Sequence, residues 1–449
     1  MLAEGDLIAR ERRSRLSFVS AEDSAAGAQA LSAAVVAFAL VAAILFFQFV
    51  NNVGPMEPYK FLHWLWSYDL GFTKRGLVGT ILEIFSNENG DIYTEVVSAS
   101  EMLLLVTYLS YAAFAAAIVW RQPTLPVFCV ALSGAILQPA LPALSFDFGR
   151  LDQVNLTLLF MCCLAVVFGG RRLAGFAVAA ASGIAILVHE AFLIMHLPLC
   201  AALLAVRLRT VDELPVHRIV RTIGLVLIVP AVAFGAVWFA GVPVPKDVWV
   251  EYWTRKAGFS NDLTLYALNV HYLGIRDSIK ATLAEFSIVR AFFGVAVIVS
   301  ATVIAIFAWR RILPQRLWWE KAACFAAAMS PVLMFALGID YLRWSSMLVT
   351  NLLVATLVLL GLGSMARAAM QGSPQRISKR PYTFWPVLLP GLCYVFLAFP
   401  QSTGVANYRI PNEIRCEHLN RWFPLLRDKV FGAGGCDFTW THLHQTTAR

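Results

Sequence analysis

The chain has 449 residues, of which 59% are hydrophobic and only 14% charged, with a formal net charge of +8 at pH 7. Soluble domains carry about 25% charged residues, so this composition excludes an ordinary globular enzyme and places the protein in a lipid bilayer. Nucleic acid is excluded as a partner because the bases are sorted by segment rather than spread along one surface.

A membrane-crossing helix needs about 20 apolar residues. Eleven runs approach that length: 31–51, 99–120, 125–140, 153–169, 173–189, 190–206, 222–242, 287–309, 322–338, 344–363 and 384–400. Three of them, 125–140, 173–189 and 190–206, are short, so ten or twelve spans also fit. The expected fold is all-α: a polytopic transmembrane bundle of about eleven spans whose periplasmic loops carry short interfacial helices. Residues 1–30 form a cytoplasmic tail, 31–400 the bundle with long outer loops at 52–98, 141–153 and 243–286, and 401–449 a periplasmic tail.

Charge sets the orientation. With the N-terminus inside, the inner segments hold 19 Lys/Arg and 8 Asp/Glu, against 17 and 20 in the rest of the chain. Basic inner loops are what membrane insertion selects. The clusters Arg10/Arg12/Arg13/Arg15, Arg171/Arg172 and Arg310/Arg311 are therefore topology anchors. The first span follows a long polar lead and has no small-x-small cleavage site after it, so it is expected to remain as an anchor. The predicted location is a bacterial inner membrane, with the N-terminus cytoplasmic and the C-terminus periplasmic. Six of the eight cysteines fall in spans as small apolar residues. Cys416 and Cys436 lie in the outer tail, where an oxidising compartment permits a disulfide between them.

The outer side carries the unusual residues. In the first loop, "HWLWSYDLGFTKRGLVG" places Asp69 shortly before Lys74 and Arg75, among aromatic rings and glycines, and "GLVGTILEIF" reads as a helix lying along the membrane surface. The plain account is an interfacial anchor with solvated charges; the chemical account is an acid beside a phosphate clamp. "FDFGRLD" adds Asp147, Arg150 and Asp152 at the mouth of the fourth span. Asp147 and Arg150 are spaced for a local pair, which leaves Asp152 without a local partner. His189 and Glu190 interrupt two apolar runs at a hairpin tip, and "GIDYLRW" supplies Asp340 and Arg343. A wetted tip and a local salt bridge are the simple explanations. Yet four loops bring acids and arginines to the same face, and charges at membrane depth usually face a cavity or each other. Arginine grips phosphate bidentately, and a carboxylate can take a proton or hold a cation. The fourth loop adds Trp249, Tyr252 and Trp253, ring systems suited to stacking on sugar faces.

This layout resembles the GT-C superfamily of polytopic glycosyltransferases, which take sugars from polyprenyl-phosphate carriers at the outer leaflet. The resemblance covers roughly residues 31–310 as topology, with long outer loops after the first and seventh spans. It implies Asp69 as catalytic base or metal ligand, Asp147 and Asp152 as the second acidic site, and Arg343 as a neutraliser of carrier phosphate. The chain departs from the family in lacking an Asp-Asp or Glu-Asp-x-x-His signature in the first loop and Asp-x-Asp spacing in the second. The segment "YDLGFTKRGLVG" also resembles bacterial membrane proteins of surface-polysaccharide systems.

The expected function is transfer of a sugar from a polyprenyl-phosphate-linked donor to a lipid-linked glycan or surface polysaccharide at the periplasmic face. Asp69 is the expected base. Lys74, Arg75, Arg150 and Arg343 are expected at the donor phosphate. Asp147, Asp152, His189, Glu190, Asp340, Trp249, Tyr252 and Trp253 are expected at substrate. A divalent cation, Mg or Mn, would be held by Asp69, Asp147 or Asp152. Two alternatives stay open: an O-antigen-type polymerase or ligase using a diphosphate-linked donor, and a non-enzymatic transporter or flippase, which would place ionisable residues and broken helices near mid-membrane.

Overall fold

The computed structural model describes residues 27–370, apart from short gaps at 51–52, 54–55, 57, 86–90, 138, 241–243, 258–267, 270–274, 285–287, 314–315 and 338–339. Cys416, Cys436, the run at 384–400 and the C-terminal tail lie outside the described residues, as does nearly all of the N-terminal tail. The described chain is helical and has no strand. Its elements are α1 (Gly27–Val50), α2 (Pro58–Leu62), α3 (Gly76–Phe85), α4 (Ile92–Arg121), α5 (Leu125–Ile136), α6 (Ala143–Phe146), α7 (Asp152–Phe168), α8 (Arg171–Val188), α9 (Phe192–Met195), α10 (Leu197–Thr210), α11 (Val216–Gly235), α12 (Lys246–Ala257), α13 (Ile275–Ala284), α14 (Ile288–Ile312), α15 (Trp318–Ala328) and α16 (Tyr341–Met370). A π-helical turn, Ala236–Ala240, extends α11, and a 3-10 helix, Ser330–Ala336, follows α15.

Among the described residues, six helical segments are long and apolar enough to cross a membrane: Gly27–Val50, Ile92–Arg121, Arg171–Val188, Val216–Phe239, Val295–Ile312 and Arg343–Gly363. This is a multi-pass membrane protein. Other expected spans take shorter forms. The run 125–140 is helical only over the 12 residues of α5, about 18 Å at 1.5 Å per residue. The run 190–206 is broken at His196, and 322–338 is broken after Ala328. Proline accounts for both breaks. Pro198 and Pro331 open the segments that follow; a proline has no N–H for the carbonyl four residues back and its ring crowds that carbonyl, so neither preceding helix can run on through it.

The core forms around α16, against which α4, α5, α7, α10, α14 and α15 pack. Val354, Ala355, Leu357, Val358 and Leu359 of α16 are fully buried. At the periphery, α1, α11 and α14 expose Phe46, Phe47, Val232, Phe239, Val299 and Phe307. Apolar side chains turned outward along whole helices suit lipid contact.

The two ends of the bundle differ. At one, Arg121 and Arg207 cap the C-terminus of α7, where unpaired carbonyls collect negative partial charge, and Arg316 reaches a carbonyl within α16. Arg121 donates to the Val167 carbonyl at 3.0 Å and Arg316 to the Leu359 carbonyl at 2.9 Å, while Arg207 donates to the Val166 carbonyl. At the other end, cations and carboxylates face each other.

Candidate functional site

The site grows from the loop 63–75 between α2 and α3. Gly71 and Arg75 both have positive φ, 119° and 62°. Glycine tolerates this region freely, whereas an arginine there is uncommon and must be held by its surroundings. Arg75 is held by its guanidinium. It donates to Glu190 Oε1 at 2.8 Å and Oε2 at 3.2 Å, and lies 3.1 Å from His63 Nδ1. The loop presses against α3 because Gly79 has no side chain: a Cβ there would stand 1.9 Å from the Trp66 carbonyl oxygen. The Trp64 indole joins this loop to the second one by donating to the Gly149 carbonyl at 2.7 Å.

From Glu190 the charges continue across the end of the bundle. Neighbouring His189 lies 3.5 Å from Arg343 Nη2, and its Nδ1 accepts from the Ala191 amide at 3.2 Å. Arg343 pairs with both oxygens of Asp152, at 2.5 and 2.8 Å, and with Asp340 at 3.2 Å. Arg150 lies 3.6 Å from the same Asp340 oxygen and grips Asp147 at 3.1 Å. Lys60, from α2, completes the chain at 2.8 Å from Asp147. Residues far apart in sequence thus form one continuous network.

Burial grades along it. Lys60, Asp147, Asp152 and Arg343 are buried, whereas Arg75, Glu190 and Asp340 are partly exposed at 16%, 17% and 26%. Burial alone would raise the Asp147 carboxyl, but Arg150, Lys60 and Arg343 outweigh it and hold it well below the usual carboxylate range. Lys74 stands at the rim, its Nζ 4.4 Å from the Trp238 ring in the π-helical turn. Burial pulls its ammonium below the ordinary lysine value, against the opposing charge of Glu190.

Asp69 belongs to a second cluster. It is exposed, and Tyr252 of α12 reaches its Oδ2 at 3.0 Å. The same phenol lies 2.6 Å from Glu83 Oε1, and Lys256 binds both Glu83 and the phenol. Burial, reinforced by Glu83, pushes the Tyr252 phenol above its ordinary range.

The structure therefore gathers Arg75, Asp147, Arg150, Asp152, His189, Glu190, Asp340 and Arg343 into one assembly. Asp69 lies at the far side of the same short loop, in different company. Trp249 and Trp253 are fully buried and hold Trp66 between them, with ring centroids at 4.6 and 4.7 Å. In this conformation they are packing residues rather than open stacking faces. Among the described residues, no group of three or more His, Cys, Asp and Glu side chains is disposed to hold a metal. Asp147 and Asp152 instead spend their lone pairs on cations.

Sequence reasoning missed Lys60, His63, Glu83 and Lys256. Two signals were available: Glu83 is the one acid in "GLVGTILEIF", and Lys256 lies one turn beyond Tyr252. A third feature also went unread. Asn351 of α16 donates to the Met195 carbonyl at 2.7 Å and lies 3.5 Å from the Ala328 carbonyl, while its Oδ1 is 2.8 Å from His196 Nδ1. One amide thereby ties together the two helix breaks.

No protein-family model, curated protein or solved structure matches the chain.

Proposed function

We propose that this protein is a membrane-embedded glycosyltransferase of GT-C type. It would move a sugar from a polyprenyl-phosphate-linked donor to a lipid-linked glycan or surface polysaccharide at the periplasmic face of a bacterial inner membrane. The observation that carries this reading is the single charged network at one bundle end, bordered by a loop presenting Asp69, Lys74 and Arg75. In the proposed reaction Asp69 accepts the proton of the acceptor hydroxyl. The hydroxyl oxygen bonds to the anomeric carbon, the carbon–phosphate oxygen bond breaks, and polyprenyl phosphate leaves with the electron pair. Lys74 and Arg75 are the cations placed to receive that phosphate, with Arg150 and Arg343 behind them. The deletion strain should lose a sugar from its surface glycan, and Asp69→Asn should fail to restore it while being inserted normally. Restoration by Asp69→Asn removes Asp69 as the base.

A second reading, a lipid-carrier flippase or transporter, draws on the helix breaks at His196 and Met329. Interrupted helices inside a bundle are a recurrent feature of transporters. Movement of a labelled polyprenyl-phosphate sugar across vesicles containing the purified protein, without any acceptor glycosylated, would favour it.

A further inference from the structure

The aromatic residues of α12 do two jobs. Trp249 and Trp253, one turn apart, close on the Trp66 ring, and the Trp253 indole donates to the Leu65 carbonyl at 3.3 Å. This pins α12 onto the loop 63–69. Tyr252, between them in sequence, points at Asp69 instead.

We infer that Tyr252 is the positioning residue for Asp69, an inference that rests on Asp69 being the proton acceptor proposed above. The phenol oxygen has four polar neighbours: Asp69 Oδ2 at 3.0 Å, Glu83 Oε1 at 2.6 Å, Lys256 Nζ at 2.9 Å and Ser67 Oγ at 3.3 Å. A phenol has one proton, so it donates to one carboxylate at a time, while its lone pairs receive Lys256 and Ser67. The two carboxylates are not equivalent. Glu83 is compensated by Lys256, whereas Asp69 is exposed toward incoming substrate. Before proton transfer, the phenol fixes the orientation of the Asp69 carboxylate. Once Asp69 has taken the acceptor's proton it needs that donor less, and rotation of one O–H bond hands the phenol hydrogen to Glu83 with no heavy atom moving. Because the indoles lock α12 in place, the fourth outer loop and the reacting carboxylate act as one unit.

The test uses the purified full-length protein in lipid, a polyprenyl-phosphate sugar as donor, and kcat and KM resolved separately. Tyr252→Phe should lower kcat about tenfold, the worth of one hydrogen bond to a charged group, with donor KM unchanged. In an Asp69→Asn background the same substitution should have no further effect, because residues acting as a unit are not additive. Arg255→Ala, at an exposed α12 position paired with Glu251, should match wild type. Should Tyr252→Phe fail to fold, 3-fluorotyrosine at 252 keeps the ring and strengthens the donor, and kcat should again move with KM held. Wild-type kcat in Tyr252→Phe, a change in KM alone, or losses that multiply with those of Asp69→Asn would overturn the inference while leaving the transferase reading intact. Equal transfer by wild type and Asp69→Asn would overturn the inference and remove Asp69 as the base, and no transfer by wild type would overturn the transferase reading as well.

Discussion

Arg343 separates structural from chemical meaning in the network. Its guanidinium neutralises Asp152, which is 1% exposed, and touches Asp340 as well. Arg343→Met removes the cation but keeps an apolar side chain of similar reach, leaving the Asp152 carboxylate buried without its main partner. Breaking a buried pair from one side costs about 3–5 kcal/mol, whereas replacing both partners by apolar residues is often neutral. The single variant should therefore lose about 3–5 kcal/mol of stability. Arg343→Met with Asp152→Leu should regain most of it, Asp340 keeping a partner in Arg150. Thermal unfolding in one detergent, followed by tryptophan emission and by loss of the monodisperse peak, reads both. A single variant as stable as wild type, or a double variant no better than the single, refutes the claim that the pair is energetically coupled. Transfer activity then gives the second answer. A stable double variant without activity places the pair in the chemistry, and an active one makes it scaffolding.

Three other outcomes follow from the same geometry. Asn351→Leu should destabilise the bundle by about 2–4 kcal/mol, since it strips the Met195 carbonyl and His196 of their partner at about 1–3 kcal/mol for each buried group left unsatisfied; unchanged unfolding would show that the helix breaks stand without it. Trp253→Ala should cost about 3–5 kcal/mol and make α12 exchange amide hydrogens faster, while exchange in α7 and α8 stays as it was. Asp147 has its folded pKa held below its unfolded one, so its contribution is complete above the unfolded value near 4 and is lost as pH falls through the folded value. Lys60→Met should raise the folded value and so shrink the stability gained between acid and neutral pH, a loss seen in unfolding curves taken at several pH values. Curves that remain parallel to wild type would contradict it.

The gathering of charged loops at one bundle end was legible because apolar sequence makes isolated charges costly. Span alternation places "FDFGRLD", "HE" and "GIDYLRW" on one side, and ions excluded from lipid have only one another to meet. The local pairs Asp147–Arg150 and Asp340–Arg343 do form. They are also cross-linked through Arg150 and Asp340, so each local pair forms and is at the same time part of a wider network, from which Asp69 stands apart. What stayed hidden depends on long-range packing. Nothing near "EPYKF" distinguishes Lys60 as the partner of Asp147 from a solvated surface lysine. The spacing of Trp249 and Trp253 fits a packed stripe and a substrate platform equally, and only Trp66 decides between them. The helix breaks had a signal in Pro198 and Pro331, but hydropathy averages over prolines and reported continuous runs.

Charge balance within the network restricts where an anionic ligand can enter. Lys60, Arg75, Arg150 and Arg343 face Asp147, Asp152, Glu190 and Asp340, four cations against four carboxylates. A phosphate entering the deep half would meet Arg150 and Arg343 already holding Asp147 and Asp152 and would strand a buried carboxylate, the arrangement that costs most. At the rim the terms differ. Arg75 and Glu190 are partly wet, so exchanging one partner for another there costs less desolvation. Lys74 adds a fifth cation whose charged form is disfavoured by burial, and an arriving anion would relieve that penalty directly. Its ammonium lies over Trp238, beside the outward-facing Phe239 and the apolar flank of α11, where a headgroup could approach with its chains still in lipid. The buried ion pairs are then a rigid floor beneath the Arg75–Glu190 pair that holds Arg75 in its strained backbone conformation, and on the proposed transferase reading the loop from Asp69 to Arg75 is the part offered to substrate.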